Sequence, residues 1–292
     1  RTQIMKSHCS KCAQNMLQSN YPSSHTHRTS PMQTTVYLNE LFGCAGRTAV
    51  VTGASSGLGA AMARTLAQAG ANVLAVARRR HKLEAIAAET KPMEGRVEPC
   101  TADLQSPEDI AHIADEVTRI FGSCDVLVSN AGTGIREPLN RMKESDFSES
   151  LHLNTTAQWQ LSKALFSLLK SSGSGRIINV ASVYGLGASV MHGLGAYTTS
   201  KHALVGLTKS QAVEWARHGI TANALAPGYF PTELTESALA DEKLSERLRS
   251  FTPQNRFGDP SELATALLFL ASKANPYVTG VVLPIDGGWT AW

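Results

Sequence analysis

No acidic residue and no glycine occurs in the first 39 positions of this 292-residue chain. All 23 glycines and all 24 acids lie beyond that point. The leading stretch carries Arg1, Lys6, Lys11 and Arg28, so the formal charge of +3 belongs to it. The remainder holds 23 Lys+Arg against 24 Asp+Glu and is close to neutral. Residues 1–34 are rich in Ser, Thr, Gln, Asn and His and show no apolar period, which predicts disorder. Residues 1–40 therefore read as a polar extension ahead of one domain over 41–292. The extension has three readings. It is a plain leader, an organelle-targeting segment (basic and acid-free, but poor in Arg), or a metal site at His8, Cys9 and Cys12. The last is weakest, because Cys9-Ser-Lys-Cys12 lacks a second ligand pair at zinc spacing.

Other absences narrow the class. Five scattered cysteines do not make a secreted disulfide scaffold, and a reducing, cytoplasmic compartment is expected; an organelle follows only if the leader is a targeting segment. No apolar run approaches the roughly 18 residues of a membrane span. No basic excess in the body suggests a nucleic-acid partner. No internal repeat and no metal-ligand constellation stand out in the body. What is present is 42% hydrophobic and 17% charged residues, enough apolar content for a sizeable core.

From Leu41 onward, short apolar runs alternate with helical segments. Strands are expected at 47–52, 72–77, 97–100 (weaker), 125–129, 176–180, 221–226 and 281–285. Helices are expected at 57–69, 81–89, from Ser106-Pro-Glu-Asp to Phe121-Gly122, and at 146–169, 196–217 and 260–271. This alternation predicts an α/β fold: a single-domain, Rossmann-type, doubly wound parallel sheet with helices on both faces.

Thr52-Gly-Ala-Ser-Ser-Gly-Leu-Gly59 lies between the first strand and the first helix. Glycine serves where the chain turns sharply and where backbone approaches a pyrophosphate, and the helix start offers free N–H groups to an anion. Gly53, Ser55, Ser56, Gly57, Leu58 and Gly59 are thus candidate dinucleotide contacts; the alternative is an ordinary βα turn. The spacing is G-x-x-x-G-x-G, not G-x-G-x-x-G. At the end of the second strand an acid would favour NAD through the ribose hydroxyls. Ala77 is apolar and Arg78 and Arg79 are basic, which suits a 2′-phosphate: NADP(H) is preferred, with NAD(H) possible. The alternative is a solvated helix start.

Tyr197 and Lys201 are four apart at a helix start and share one face. An ammonium near a phenol favours phenolate, making Tyr197 a general acid/base candidate; alone, the pair is also what any exposed helix face offers. Ser182 follows the strand Ile177–Ala181, at the end where α/β sheets bind ligands. Asn154 sits within the long 146–169 helix, where propensity disfavours it; it is either functional or a satisfied core amide.

With these motifs in order, the sequence resembles the short-chain dehydrogenase/reductase family over about residues 41–292. Further matches are Asp103, Asn130-Ala131-Gly132, Pro227-Gly228 with Thr232, Val278-Thr-Gly280 and Asp286-Gly-Gly288. The resemblance implies that Tyr197 is the acid/base and Ser182 orients the carbonyl. It implies that Lys201 holds the nicotinamide ribose and depresses the Tyr197 pKa, and that Asn154 holds a relay water. It places Asp103 at the adenine, Asn130–Gly132 at the adenosine end and Thr232 at the carboxamide, with Leu104, Pro227 and Gly228 as further cofactor contacts. The activity implied is NADP(H)-dependent interconversion of a secondary alcohol and a ketone (EC 1.1.1.-). Pro227–Leu234 is similar to gluconate 5-dehydrogenase-like members, pointing to a sugar acid, polyol or keto-sugar. Alternatives are a 3-oxoacyl-(acyl-carrier-protein) reductase and a non-catalytic cofactor-binding sensor. Residues 183–196 look about two longer than is common in the family. Residues 235–251 are expected to form a mobile helical lid, with Leu239, Leu244 and Leu248 packing. Arg136, Arg247 and Arg249 are candidates for an acidic substrate or carrier, or plain surface charge. The family implies a homotetramer or homodimer on helices 146–169 and 196–217. Trp159 and Trp215 mark either subunit contacts or core.

Overall fold

A computed structural model describes residues 31–189 and 191–292. The candidate metal ligands His8, Cys9 and Cys12 lie outside the described residues. Residues 31–40 of the expected extension are not irregular: they belong to helix α1, Pro31–Phe42. The compact unit that bears on function runs from Leu38 to Trp292.

Seven strands form one parallel sheet: β1 Thr48–Thr52, β2 Asn72–Ala77, β3 Val97–Thr101, β4 Val126–Ser129, β5 Arg176–Val180, β6 Thr221–Pro227 and β7 Val282–Ile285. Their order is β3-β2-β1-β4-β5-β6-β7, the doubly wound arrangement expected. The chain leaves β1 toward one edge and returns at β4 to build toward the other, so β1 and β4 flank the switch point where such sheets bind ligands. Residues on neighbouring positions serve opposite faces. Ala49 and Val51 pack with Ala63, Leu66 and Leu267, while Val50 packs with Ile113, Leu161 and Ala212. Both faces being covered explains why the strands read as continuous apolar runs. β3 contains Pro99 and sits at the sheet edge, where a missing N–H costs no ladder bond; that proline is why it was the weakest strand to read.

The helices follow as α2 Gly57–Gln68, α3 Arg80–Thr90, α4 Pro107–Phe121, α5 Glu144–Leu151, α6 Ala157–Ala164, α7 Phe166–Ser171, α8 Gly195–Trp215, α9 Glu236–Ala240, α10 Glu242–Ser250 and α11 Ala264–Ala271. α4 shows its sequence signals in place. The Ser106 hydroxyl accepts from Asp109 N–H at 3.1 Å, Pro107 opens the helix, and Gly122 closes it with φ 71°. The expected unbroken helix over 146–169 is instead interrupted by a π-turn at His152–Thr156. The segment 235–251 is helical but breaks at Asp241, whose carboxylate caps α10 by accepting from Leu244 N–H at 3.0 Å. Leu248 is buried there, and Leu239 and Leu244 are half-buried, which gives them the packing role expected. Among the described residues, no helix is long and apolar enough to cross a membrane.

Candidate active site

The carboxyl ends of β1, β2, β4, β5 and β6 open into one cavity of about 540 Å³. Every residue expected to touch the cofactor lines it, as do Ser182, Phe230 and residues 232–235. Asn154 does not: it is fully buried behind the wall.

At one end lies the glycine-rich loop. Gly53 and Gly57 have φ of 65° and 53°, the region where a side chain is strained. A Cβ on Gly59 would lie 2.2 Å from the Gly53 carbonyl oxygen and 2.5 Å from Asn130 Nδ2. Asn130 stitches the loop to β4 by donating from Nδ2 to the Thr52 carbonyl at 2.9 Å. Ser56 occupies the N-cap of α2 but makes no side-chain cap bond. Its hydroxyl instead donates to Glu233 Oε2 at 3.0 Å and accepts from Arg79 Nη2 at 2.8 Å. The first amides of α2 are therefore left without a side-chain acceptor, as an anion-binding helix start requires.

The basic residues after β2 divide. Arg78 is largely exposed and meets Asp103 at 3.8 Å, whereas Arg79 folds back over the loop and donates to both Ser55 and Ser56. Arg79, more than Arg78, is thus the cation over the loop. Lys82 joins it through Glu233, at 2.6 Å. Sequence reasoning missed Lys82 and Glu233; the spacing of three between Arg79 and Lys82 was the available signal for the first, and nothing local pointed to the second.

At the other end stand Ser182, Tyr197 and Lys201. Tyr197 is half-buried, and burial pushes its phenol up to about 12 while a hydrogen bond with Ser182 pulls it back. Lys201 is buried, and burial lowers its ammonium to about 8. Its Nζ lies 5.6 Å from the centre of the Tyr197 ring and donates to the Val180 carbonyl at 2.8 Å. Burial, opposed by Ser182, sets the Tyr197 shift, while the Lys201 ammonium is turned toward β5 and is itself desolvated.

Asn154 supports this corner. Its Oδ1 accepts from Thr133 N–H at 2.8 Å, and its Nδ2 donates to the Thr133 carbonyl and to Ser200 Oγ, each at 2.9 Å. The side chain joins the loop after β4 to helix α8, and the π-turn is the local backbone that carries it. An aromatic wall flanks Tyr197. Tyr184 lies 6.5 Å from it edge-on, and the Tyr184 and Tyr229 hydroxyls meet at 2.5 Å. Trp289, from the last residues of the chain, packs on Tyr229 at 5.3 Å. Tyr184, Tyr229 and Trp289, none of them read from the sequence, support Tyr197 from outside the cavity lining; the first two follow the ends of β5 and β6 closely, which was the signal. The loop that looked two residues long begins with a 3₁₀ turn at Val183–Gly185 and runs to α8. Arg136 reaches that loop, its Nε donating to the His192 carbonyl at 3.5 Å.

Residues 53–290 match the family model described as enoyl-(acyl carrier protein) reductase. The chain belongs to the short-chain dehydrogenase/reductase family. As a member it is an oxidoreductase acting on CH–OH groups. It is 35% identical to the gluconate 5-dehydrogenase of Gluconobacter oxydans over 251 residues, which is 86% of this chain and 97% of that one. It is 38% identical to a 3-oxoacyl-(acyl-carrier-protein) reductase of Vibrio cholerae over 243 residues, covering 83% and 97%. Among solved structures, a gluconate 5-dehydrogenase from Burkholderia cenocepacia in complex with NADP and tartrate is 33% identical with a TM-score of 0.82, covering 87% of this chain and 99% of that one.

Proposed function

We propose that this short-chain dehydrogenase/reductase interconverts a secondary alcohol and a ketone with NADP(H), on a sugar acid, polyol or keto-sugar. The observation that carries the reading is one cavity with two chemically distinct ends: a glycine-rich, cation-flanked anion seat, and a Ser182/Tyr197/Lys201 corner.

The residues fit a dinucleotide phosphate. The loop leaves no room for a Cβ at Gly59, and the start of α2 is uncapped by any side chain. Arg79 and Lys82 supply the positive charge a 2′-phosphate needs. When bound, the nicotinamide supplies or accepts the hydride. Tyr197 moves the proton at the substrate oxygen, and its phenol, pushed up to about 12, is protonated at neutral pH and ready to donate to a carbonyl. Ser182 donates to the same oxygen and orients it. Lys201 holds the nicotinamide ribose. Asn154 positions the loop after β4 through Thr133 and, by the family resemblance, would hold a relay water. Asp103, Leu104 and Asn130–Gly132 line the adenosine end, and Thr232 the carboxamide end.

The likeness to the Gluconobacter and Burkholderia gluconate dehydrogenases supports a sugar acid. The resemblance to the Vibrio reductase supports a second reading, a 3-oxoacyl thioester. The deciding experiment is a rate screen of sugar acids, keto-sugars, polyols and 3-oxoacyl thioesters with NADPH, NADP and their unphosphorylated counterparts. Turnover of sugar acids is expected; turnover of thioesters alone selects the second reading, and none at all points to a sensor. α6 and α8 are the proposed contact helices of a homodimer or homotetramer.

A further inference from the structure

Four cations cluster where β2 passes into α3, and they are paired differently. Arg80 has Glu84 one turn ahead, at 2.7 Å, and Arg78 has Asp103. Among the described residues, the acid on Arg79 and Lys82 is Glu233, which arrives from the loop after β6, 154 positions from Arg79. Its carboxylate is half-exposed, and both of its oxygens accept hydrogen bonds. Oε1 accepts from Arg79 Nη1 at 3.0 Å and from Lys82 Nζ at 2.6 Å. Oε2 accepts from Arg79 Nη2 at 2.8 Å and from Ser56 Oγ at 3.0 Å. A bidentate guanidinium, an ammonium and a hydroxyl converging on one anion is the donor set of a phosphomonoester seat. The loop carrying Glu233 lies directly on the glycine-rich loop: a Cβ on Gly57 would come within 3.2 Å of Thr232.

We propose that Glu233 is an internal stand-in for phosphate, a carboxylate that occupies the Arg79–Lys82–Ser56 seat and must be displaced when a nucleotide bearing a 2′-phosphate binds. This rests on the cofactor reading above and deepens it. Displacement has two consequences. The affinity for a 2′-phosphorylated nucleotide is set by a competition between two anions, so removing the carboxylate sharpens the preference for NADP(H) over NAD(H). The loop 228–235, which leads into α9 and α10, is also released from the glycine-rich loop when the phosphate arrives, so the occupied seat and the position of the lid are linked. The carboxyl group is held at about 2 by its three donors, so it is an anion at neutral pH.

Calorimetric dissociation constants for NADPH, NADH, 2′-AMP and 5′-AMP on the wild type, Glu233→Gln, Glu233→Ala and Arg79→Ala test it. Both Glu233 variants are expected to tighten NADPH and 2′-AMP about three- to tenfold, the scale of two half-exposed ion pairs. NADH and 5′-AMP should stay within about twofold. The gain should vanish when Glu233→Gln is combined with Arg79→Ala. Unchanged or weaker NADPH and 2′-AMP binding in both Glu233 variants overturns the competition, as does an equal gain for 5′-AMP. The cofactor reading fails separately. A wild type that binds NADH more tightly than NADPH refutes the NADP preference, and one that binds neither dinucleotide refutes dinucleotide binding, while the 2′-AMP measurements still decide the role of Glu233.

Discussion

Tyr197 and Lys201 share one helical face, and burial moves their pKa values in opposite directions. The Lys201 pKa is lowered from 10.5 to about 8, so between these values the unfolded chain binds the extra proton. Stability from this group therefore rises with pH across that window, and below about pH 8 the buried charge is a cost. Tyr197 is raised from 10.0 to about 12, so between these values the folded chain binds the extra proton and stability falls as pH rises. Lys201→Met should accordingly melt at or above the wild-type temperature at pH 7, with the difference shrinking toward pH 10; a lower melting temperature that persists at both would refute the desolvation account. The same variant should lose cofactor affinity. Tyr197→Phe should lower turnover at least about a hundredfold with the NADPH dissociation constant within about twofold; retained turnover in a rate assay would remove Tyr197 from its role. These two residues, with Ser182, were legible because a spacing of four and a strand end are local features. The sign of the Tyr197 shift was not, because it depends on how deeply the folded chain buries the phenol.

The glycine-rich loop was legible as an element for the same local reason, whereas the break in the helix expected over 146–169 was not. The π-turn at His152–Thr156 exists where Asn154 reaches Thr133 and Ser200, 21 positions back and 46 ahead. A periodic pattern carries no information about partners that distant, so the sequence read as one continuous helix. Asn154→Leu would leave the part-buried Thr133 N–H without its acceptor, at a cost of about 1 kcal/mol. A drop in the urea midpoint, with catalysis impaired through a misplaced loop, is the expected result; an unchanged midpoint would mean that water replaces the amide. The loop makes a sharper demand. Gly59→Ala places a methyl group 2.2 Å from a backbone carbonyl that cannot rotate away. It should weaken NADPH at least about tenfold by calorimetry, because the turn must open to admit it. Gly206 on α8, whose added Cβ meets nothing within 4 Å, is the control that should bind normally when changed to Ala.

The whole molecule divides its charge and its apolar surface unequally. The body from residue 40 on is near neutral, so its basic character is confined to local seats such as Arg79 and Lys82 rather than spread as a field for polyanions. Its exposed apolar residues are more telling. The two tryptophans that the sequence left undecided have different surroundings. Trp215, half-buried, packs on Phe166 at 5.0 Å against the core, while Trp159 on α6 is 42% exposed. On α8, Val213 is 81% exposed, although the helix buries Leu204, Gln211 and Ala212. α6 and α8 lie side by side, joined by Gln211 Nε2 donating to Ser162 Oγ at 2.9 Å. Large apolar side chains turned outward on two adjacent helices suit a second copy better than water. Periodicity marked both helices but could not say which face was left over, because that depends on how each rolls against the sheet. Native mass spectrometry of the wild type should show two or four copies, and Val213→Asp should shift the distribution toward one without lowering the melting temperature of the monomer. A wild type that flies as a monomer at micromolar concentration would leave Trp159 and Val213 as isolated surface residues, and would confine every part of the site to a single chain.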